Sequence, residues 1–223
     1  MTDTRVLLIT GGHPYEREPF LSMFSALEGI RFDEVIHPNA QARFVPASAN
    51  VYDAMVFYDF GQTISPEAKT HLLAYLNHKP SKGAVFLHHS ICNYPEWPEY
   101  TNMVGGYWGH KPFEMNGKSY PASVPLVNQH VPVHVSDPDH PITRDIPDFE
   151  LLDETYKHYY IANDVTPLLE TDHPQSERLL GWTKTWGRAR IVFLQPGHDH
   201  HTYENPHFRQ VLARSIRWAS GKI

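Results

Sequence analysis

Residues 5–13 read RVLLITGGH, an apolar run closed by two glycines and a histidine. A strand with one face in water alternates polar and apolar side chains; a strand covered on both faces does not. Arg5–Thr10 therefore predicts a buried parallel strand, and Gly11-Gly12 a tight turn after it. The same pattern returns at 54–58 (AMVFY), 84–87 (AVFL) and 190–194 (RIVFL), with a weaker strand at Phe32–Ile36. Helical spacing separates them. Phe20, Met23, Phe24 and Leu27 recur on one face, with Gly29 as the stop. Ser65-Pro66-Glu67 is a cap, a first-turn proline and a first-turn acid, ahead of Ala68, Leu72, Leu73 and Leu76. Asn205-Pro206 opens a last helix whose face is Phe208, Val211, Leu212, Ser215, Ile216 and Ala219, ended by Gly221. Strands alternating with helices imply an α/β fold: a doubly wound, mostly parallel sheet with helices on both faces.

Between Ile91 and about Asn128 the pattern breaks into prolines, glycines and aromatics. This reads as a long aromatic-rich insertion holding one short helix near Pro98–Val104. Val131, Val133 and Val135 alternate as in a half-exposed strand, and Leu168-Leu169 with Leu179–Thr183 suggest a strand pair. There are no internal repeats, so residues 1–223 are expected to form one domain.

Hydrophobic residues make up 41% of the chain and the formal charge is −6, which points to a globular protein. No basic block or stripe appears, so nucleic acid is not an expected partner. The apolar start, Val6–Ile9, is too short for a signal peptide or a membrane span, so no membrane partner and a cytoplasmic location are expected. Cys92 is the only cysteine, which excludes an intrachain disulfide and a four-cysteine zinc site.

In open α/β sheets, ligands bind beyond the carboxyl ends of the strands. There are 16 histidines, and three of the strands end in one: His13 after the first, His88 and His89 after the fourth, His198 after the last. A shared histidine-lined pocket is the expectation. Gly11-Gly12-His13 is not a dinucleotide fingerprint, there is no P-loop, and Ser90 lacks the flanking glycines of a hydrolase elbow. Cys92 reads as a buried, inert thiol. Carboxylates come from Asp153-Glu154 and from Asp199, the latter suited to orienting a histidine or capping a turn. Histidines with one carboxylate satisfy a zinc-type ligand set, although no H-E-x-x-H spacing occurs, so a divalent, zinc-like metal is a candidate cofactor. Tyr94, Trp97, Tyr100, Tyr107, Trp108, Phe113 and Tyr120 offer faces that suit sugar rings, or that pack the insertion onto the domain.

These motifs together resemble the ThuA-like (trehalose utilisation) family. The matching segments are Leu-Ile-Thr-Gly-Gly-His (8–13), Tyr-Asp-Ala-Met-Val (52–56), Gly-Ala-Val-Phe-Leu-His-His (83–89), Trp-Pro-Glu-Tyr (97–100) and Gly-Gly-Tyr-Trp-Gly-His (105–110). They continue with Asp-Pro-Asp-His-Pro-Ile-Thr (137–143), Asp-Glu-Thr-Tyr (153–156), Pro-Gly-His-Asp (196–199) and Ile-Arg-Trp-Ala (216–219). The resemblance implies a class I glutamine amidotransferase-like, flavodoxin-like fold. It places His88, His110, Glu154, Tyr156 and His198 in a catalytic pocket. His13, His89, Trp97, Trp108 and Asp199 are expected at the substrate, and His140 also matches. The amidotransferase cysteine would stand after the strand that here ends in His88-His89, so glutaminase activity is not expected. What remains is acid–base chemistry on a disaccharide or keto-sugar, as a hydrolase, lyase or isomerase. The alternative is a non-catalytic sugar-binding module. The expected partner is a small carbohydrate, and the chain could form a homo-oligomer.

Overall fold

The computed structural model describes residues 3–78 and 82–223. In chain order the elements are β1 (Thr4–Gly11), α1 (Arg17–Ser25), β2 (Ile30–Ile36), α2 (Pro46–Ala49), β3 (Ala54–Asp59), α3 (Pro66–His78) and β4 (Gly83–Leu87). Then come α4 (Pro98–Val104), β5 (Gly106–Tyr107), β6 (Phe113–Met115), β7 (Lys118–Tyr120), β8 (Val124–Val135), β9 (Phe149–Lys157) and β10 (Tyr160–Ile161). The chain closes with β11 (Thr166–Glu170), β12 (Leu179–Trp186), β13 (Ala189–Leu194), α5 (His200–Glu204) and α6 (Pro206–Ala219). Short 3₁₀ turns cover Asn39–Phe44 and His88–Cys92.

Nine strands form the main sheet in the order β2-β1-β3-β4-β13-β12-β11-β8-β9. The first five are parallel to one another. The last four add antiparallel, so β9 again runs in the direction of β13. This is the mixed, mostly parallel α/β sheet with helices that the apolar runs imply.

The lack of alternation in those runs has a direct cause. Val6, Leu8, Val56, Val85, Leu87, Val192 and Leu194 pack under Phe20 and Phe24 of α1 and Phe208, Val211 and Ile216 of α6. The residues between them, Leu7, Ile9, Met55, Phe57, Phe86, Ile191 and Phe193, pack under Leu72 and Leu76 of α3 and Met103 of α4. Each such side chain, fully buried, contributes about 1.5–3 kcal/mol. The helix starts follow the sequence. The Ser65 hydroxyl accepts from Ala68 N at 3.1 Å, and the Asn205 side chain accepts from His207 N and Phe208 N. Helix α1 stops at Ser25, and Gly29, at φ +68°, makes the turn into β2 instead.

The largest departure from the sequence reading is in the antiparallel part. β8 begins at Val124, inside the stretch read as an insertion, and β9 was not read as a strand. β9 escapes hydropathy because Asp153, Glu154 and Thr155 are polar and buried. β8 meets β11 only through His134 and Val135. Its remaining length pairs with β9 as a two-stranded arm, with a register shift between Leu126 and Gln129 and Asn128 at φ +58°. The arm reaches the carboxyl end of β13, where Gln195 Nε2 donates to the Glu154 carbonyl at 2.7 Å. Among the described residues no helix is long and apolar enough to cross a membrane.

Candidate active site

Parallel strands end on one edge of the sheet, so His13, Phe60, His88-His89 and Gln195–His198 emerge together from β1, β3, β4 and β13. The arm adds Asp153, Glu154 and Tyr156. His88 is the first residue past β4 and sits at φ +50°. A non-glycine residue there costs about 1–3 kcal/mol and persists only where its surroundings fix it. The Gln195 carbonyl, which can only accept, takes the proton of His88 Nδ1 at 2.8 Å. That bond sets the tautomer: a neutral His88 presents a bare lone pair at Nε2.

Two groups face that nitrogen. The Tyr156 hydroxyl lies 3.0 Å away and donates to it. Burial, then the charge of Glu154, raise the Tyr156 phenol well above its usual range, so it keeps its proton. Glu154 Oε2 lies 3.1 Å from the same nitrogen and 3.4 Å from His198 Nδ1. Burial opposes ionisation of Glu154, but hydrogen bonding to His198 and His88, and the charge those rings carry when protonated, outweigh it. The carboxyl is held far below the usual carboxylate range. His198 is raised above the usual imidazole range by its hydrogen bond to Glu154, against the opposing effect of burial. His88 Nε2 thus has two alternatives within reach: unprotonated it accepts from the Tyr156 hydroxyl, and protonated it donates to Glu154 Oε2.

Buried polar groups brace this arrangement. Asp153 accepts from Gly197 N at 2.8 Å, His198 N at 2.9 Å and Glu154 N at 2.8 Å. It thereby fixes the backbone that carries both Glu154 and His198. Burial, the largest effect, pushes its carboxyl up. Tyr58 donates to the Gly197 carbonyl and Tyr203 to the His198 carbonyl, at 2.8 and 2.9 Å. Asp153, Gln195, Tyr58 and Tyr203 were not among the sequence-derived site residues. Asp153 had a visible signal, an acid directly after Leu151-Leu152, but Tyr58 reads as core and nothing local marks Gln195.

The other sequence-derived residues divide. Trp108 is buried with its ring 4.7 Å from that of Tyr156 and backs the site. His89 is buried and stacks at 4.9 Å on the exposed His13. His110 is exposed, 6.2 Å from the Phe60 ring. Trp97 is buried between Tyr94 and Tyr100, away from the histidines, under the Lys69 ammonium. Asp199 caps α5 by accepting from His201 N at 2.9 Å. His140 packs on Trp218. A cavity of about 960 Å³ lies at the amino ends of β1 and β2 and is lined by none of these residues.

His88 Nε2, Glu154 Oε2 and His198 Nδ1 belong to a group whose ligand atoms all lie within 4.8 Å of one another. Two imidazoles and one carboxylate fit a zinc-type ion, and a histidine held through Nδ1–H by a carbonyl is the usual support for a metal ligand. Asp199, His200 and His201 form a second such group, largely open to water.

Residues 5–219 match the family model described as trehalose utilisation, ThuA. The chain belongs to the ThuA family. A role connected with trehalose utilisation follows from that membership. Among solved structures, a ThuA-like protein from Parabacteroides merdae is 20% identical with a TM-score of 0.82, covering 100% of this chain and 92% of that one. A cytoplasmic protein from Salmonella typhimurium gives 13% identity and a TM-score of 0.65, over 96% of this chain and 98% of that one. PurLQS from Thermotoga maritima gives 12% and 0.60, over 97% and 99%. At these identities the likeness is one of fold, and the fold is the class I glutamine amidotransferase-like one. No curated protein sequence matches the chain.

Proposed function

We propose that this ThuA-family chain performs acid–base chemistry on an oxidised disaccharide, removing a proton from a carbon beside the sugar carbonyl. The observation that carries the reading is the close approach of His88 Nε2 and Glu154 Oε2, 3.1 Å apart. A proton taken from substrate by Nε2, with the Tyr156 hydroxyl turning away to the substrate, makes that contact a charge-assisted hydrogen bond. His88 receives the proton and Glu154 stabilises the imidazolium that results. The electron pair of the broken C–H bond moves onto the carbonyl oxygen. Tyr156 and His198 are the donors nearest the reacting pair, and either can neutralise that oxygen. The open side is provided by His198, whose side chain is 32% exposed, against 11% for Glu154.

Glu154→Gln tests this, since it keeps the shape and removes the charge. Loss of keto-disaccharide turnover with retained sugar binding supports the reading. Sugar binding by the wild type with no turnover of any keto-sugar would leave a binding module.

A second reading is favoured by the locked tautomer of His88. A zinc-like ion held by His88, Glu154 and His198 would fill the same contact and polarise a sugar oxygen. Tag-free protein equilibrated with zinc and dialysed should then retain one ion per chain, and Glu154→Gln should retain none. Equal zinc content in both would remove this reading.

A further inference from the structure

Beside the reacting pair lies a cluster of rings that the chemistry above does not use. The chain leaves β1 towards β2 on one side and returns as β3 on the other, so the β1/β3 boundary is the topological switch point of the sheet. Crevices at such points, beyond the carboxyl ends, are where doubly wound sheets bind ligands. The two strand ends are pressed together here. Gly12 sits at φ +82°, and a Cβ on it would lie 2.2 Å from the Phe60 carbonyl oxygen. The His13 and Phe60 rings lie 5.8 Å apart at this point, with His110 beyond Phe60 at 6.2 Å.

Behind them is His89, whose Nε2 is buried with no hydrogen-bond partner among the described residues. A native protein rarely leaves a buried polar atom unpaired without a use for it. His13 gives its Nδ1 proton to the Pro14 carbonyl at 2.7 Å, leaving Nε2 as an acceptor. Two ring nitrogens free to bond a hydroxyl and an aromatic face match the hydroxyls and the C–H face of a sugar ring. The His88 and His89 rings are 5.4 Å apart, so this cluster adjoins the reacting centre.

We propose that His13, Phe60, His89 and His110 form a second sugar-ring subsite, which holds the non-reacting ring of a disaccharide while the oxidised ring lies at His88. This rests on the acid–base reading of the neighbouring centre. Entry requires the exposed His13 ring to swing off His89, which opens the buried nitrogen to a substrate hydroxyl.

The test compares a keto-disaccharide with the methyl glycoside of the same keto-sugar, in wild type, His89→Phe and Phe60→Ala. His89→Phe keeps a ring and removes the nitrogen. Phe60 lies on a half-buried loop, so its variant remains informative should the first fail to fold. The ratio of kcat/KM for the disaccharide over the methyl glycoside should fall by about tenfold or more in each folded variant. An unchanged ratio overturns the subsite. Should wild type turn over neither compound, the reaction reading fails and equilibrium binding of trehalose decides the subsite separately. Binding weakened about tenfold by either variant supports it; unaltered binding, or none to wild type, overturns it.

Discussion

Two buried carboxylates meet imidazoles at this end of the sheet, and they behave in opposite ways. Asp59, closing β3, lies 2.5 Å from His37 Nε2 and accepts from Asn93 Nδ2 at 2.8 Å. Asn93 in turn accepts from Gly61 N at 2.6 Å. Every contact pairs a donor with an acceptor, and the group is the more closed of the two, with the Asp59 side chain wholly buried and that of His37 10% exposed. Burial, the largest effect, raises the Asp59 carboxyl despite its partners. Glu154 is also buried, but two histidines together outweigh that burial and hold it ionised. One of its partners, His198, reaches solvent with a side chain 32% exposed. The same residue types thus serve two ends. The closed pair ties β2, β3 and the turn after β4 together; the open pair is left with chemistry to do.

Substitutions can break that contrast. The largest expected effect is on turnover: Glu154→Gln should lower kcat on a keto-disaccharide by about 10²–10⁴-fold in steady-state assays, the range of general-base catalysis, because His88 loses the charge that stabilises its imidazolium. Asp59→Ala should leave turnover by the folded protein intact. It should instead cost about 3–5 kcal/mol in denaturant unfolding, because His37 and Asn93 lose a buried partner. Loss of turnover at Asp59 with no loss of stability would reverse the two roles.

The smallest effect sharpens the comparison through pH. The folded value of Glu154 lies below its ordinary 4.5, so its contribution to stability is whole above that pH and is lost as pH falls through the folded value. The folded value of His198 lies above its ordinary 6.5, so its contribution is whole below that pH and is lost as pH rises through the folded value. The melting-temperature difference between wild type and Glu154→Gln should therefore be widest between about pH 4.5 and 6.5. A difference that does not vary with pH would show that the ion pair contributes nothing.

The parallel half of the sheet was legible because burial on both faces writes itself as unbroken apolar runs, as in Val6–Ile9 and Ile191–Leu194. Strand-end histidines followed from the same rule. The arm was not legible in that way. Buried Asp153 and Thr155 bond to distant backbone and buried Glu154 meets two distant imidazoles, so polarity hides a strand that hydropathy would otherwise mark. Glu154 and Tyr156 were reached through family motifs. Asp153 passed as a neighbour because its partners, Gly197 and His198, lie more than forty residues on. Trp97 shows the converse. Its aromatic setting suggested a sugar face, but the fold uses that face to seat α4.

The most direct measurement follows the proton. Wild type and Glu154→Gln are incubated with a keto-disaccharide in deuterated water, and proton NMR follows the position next to the carbonyl. Wild type should wash deuterium into that one carbon, and Glu154→Gln should do so at least about a hundredfold more slowly. No exchange in wild type, or equal exchange in both, would contradict the assignment of the His88–Glu154 contact as the proton acceptor.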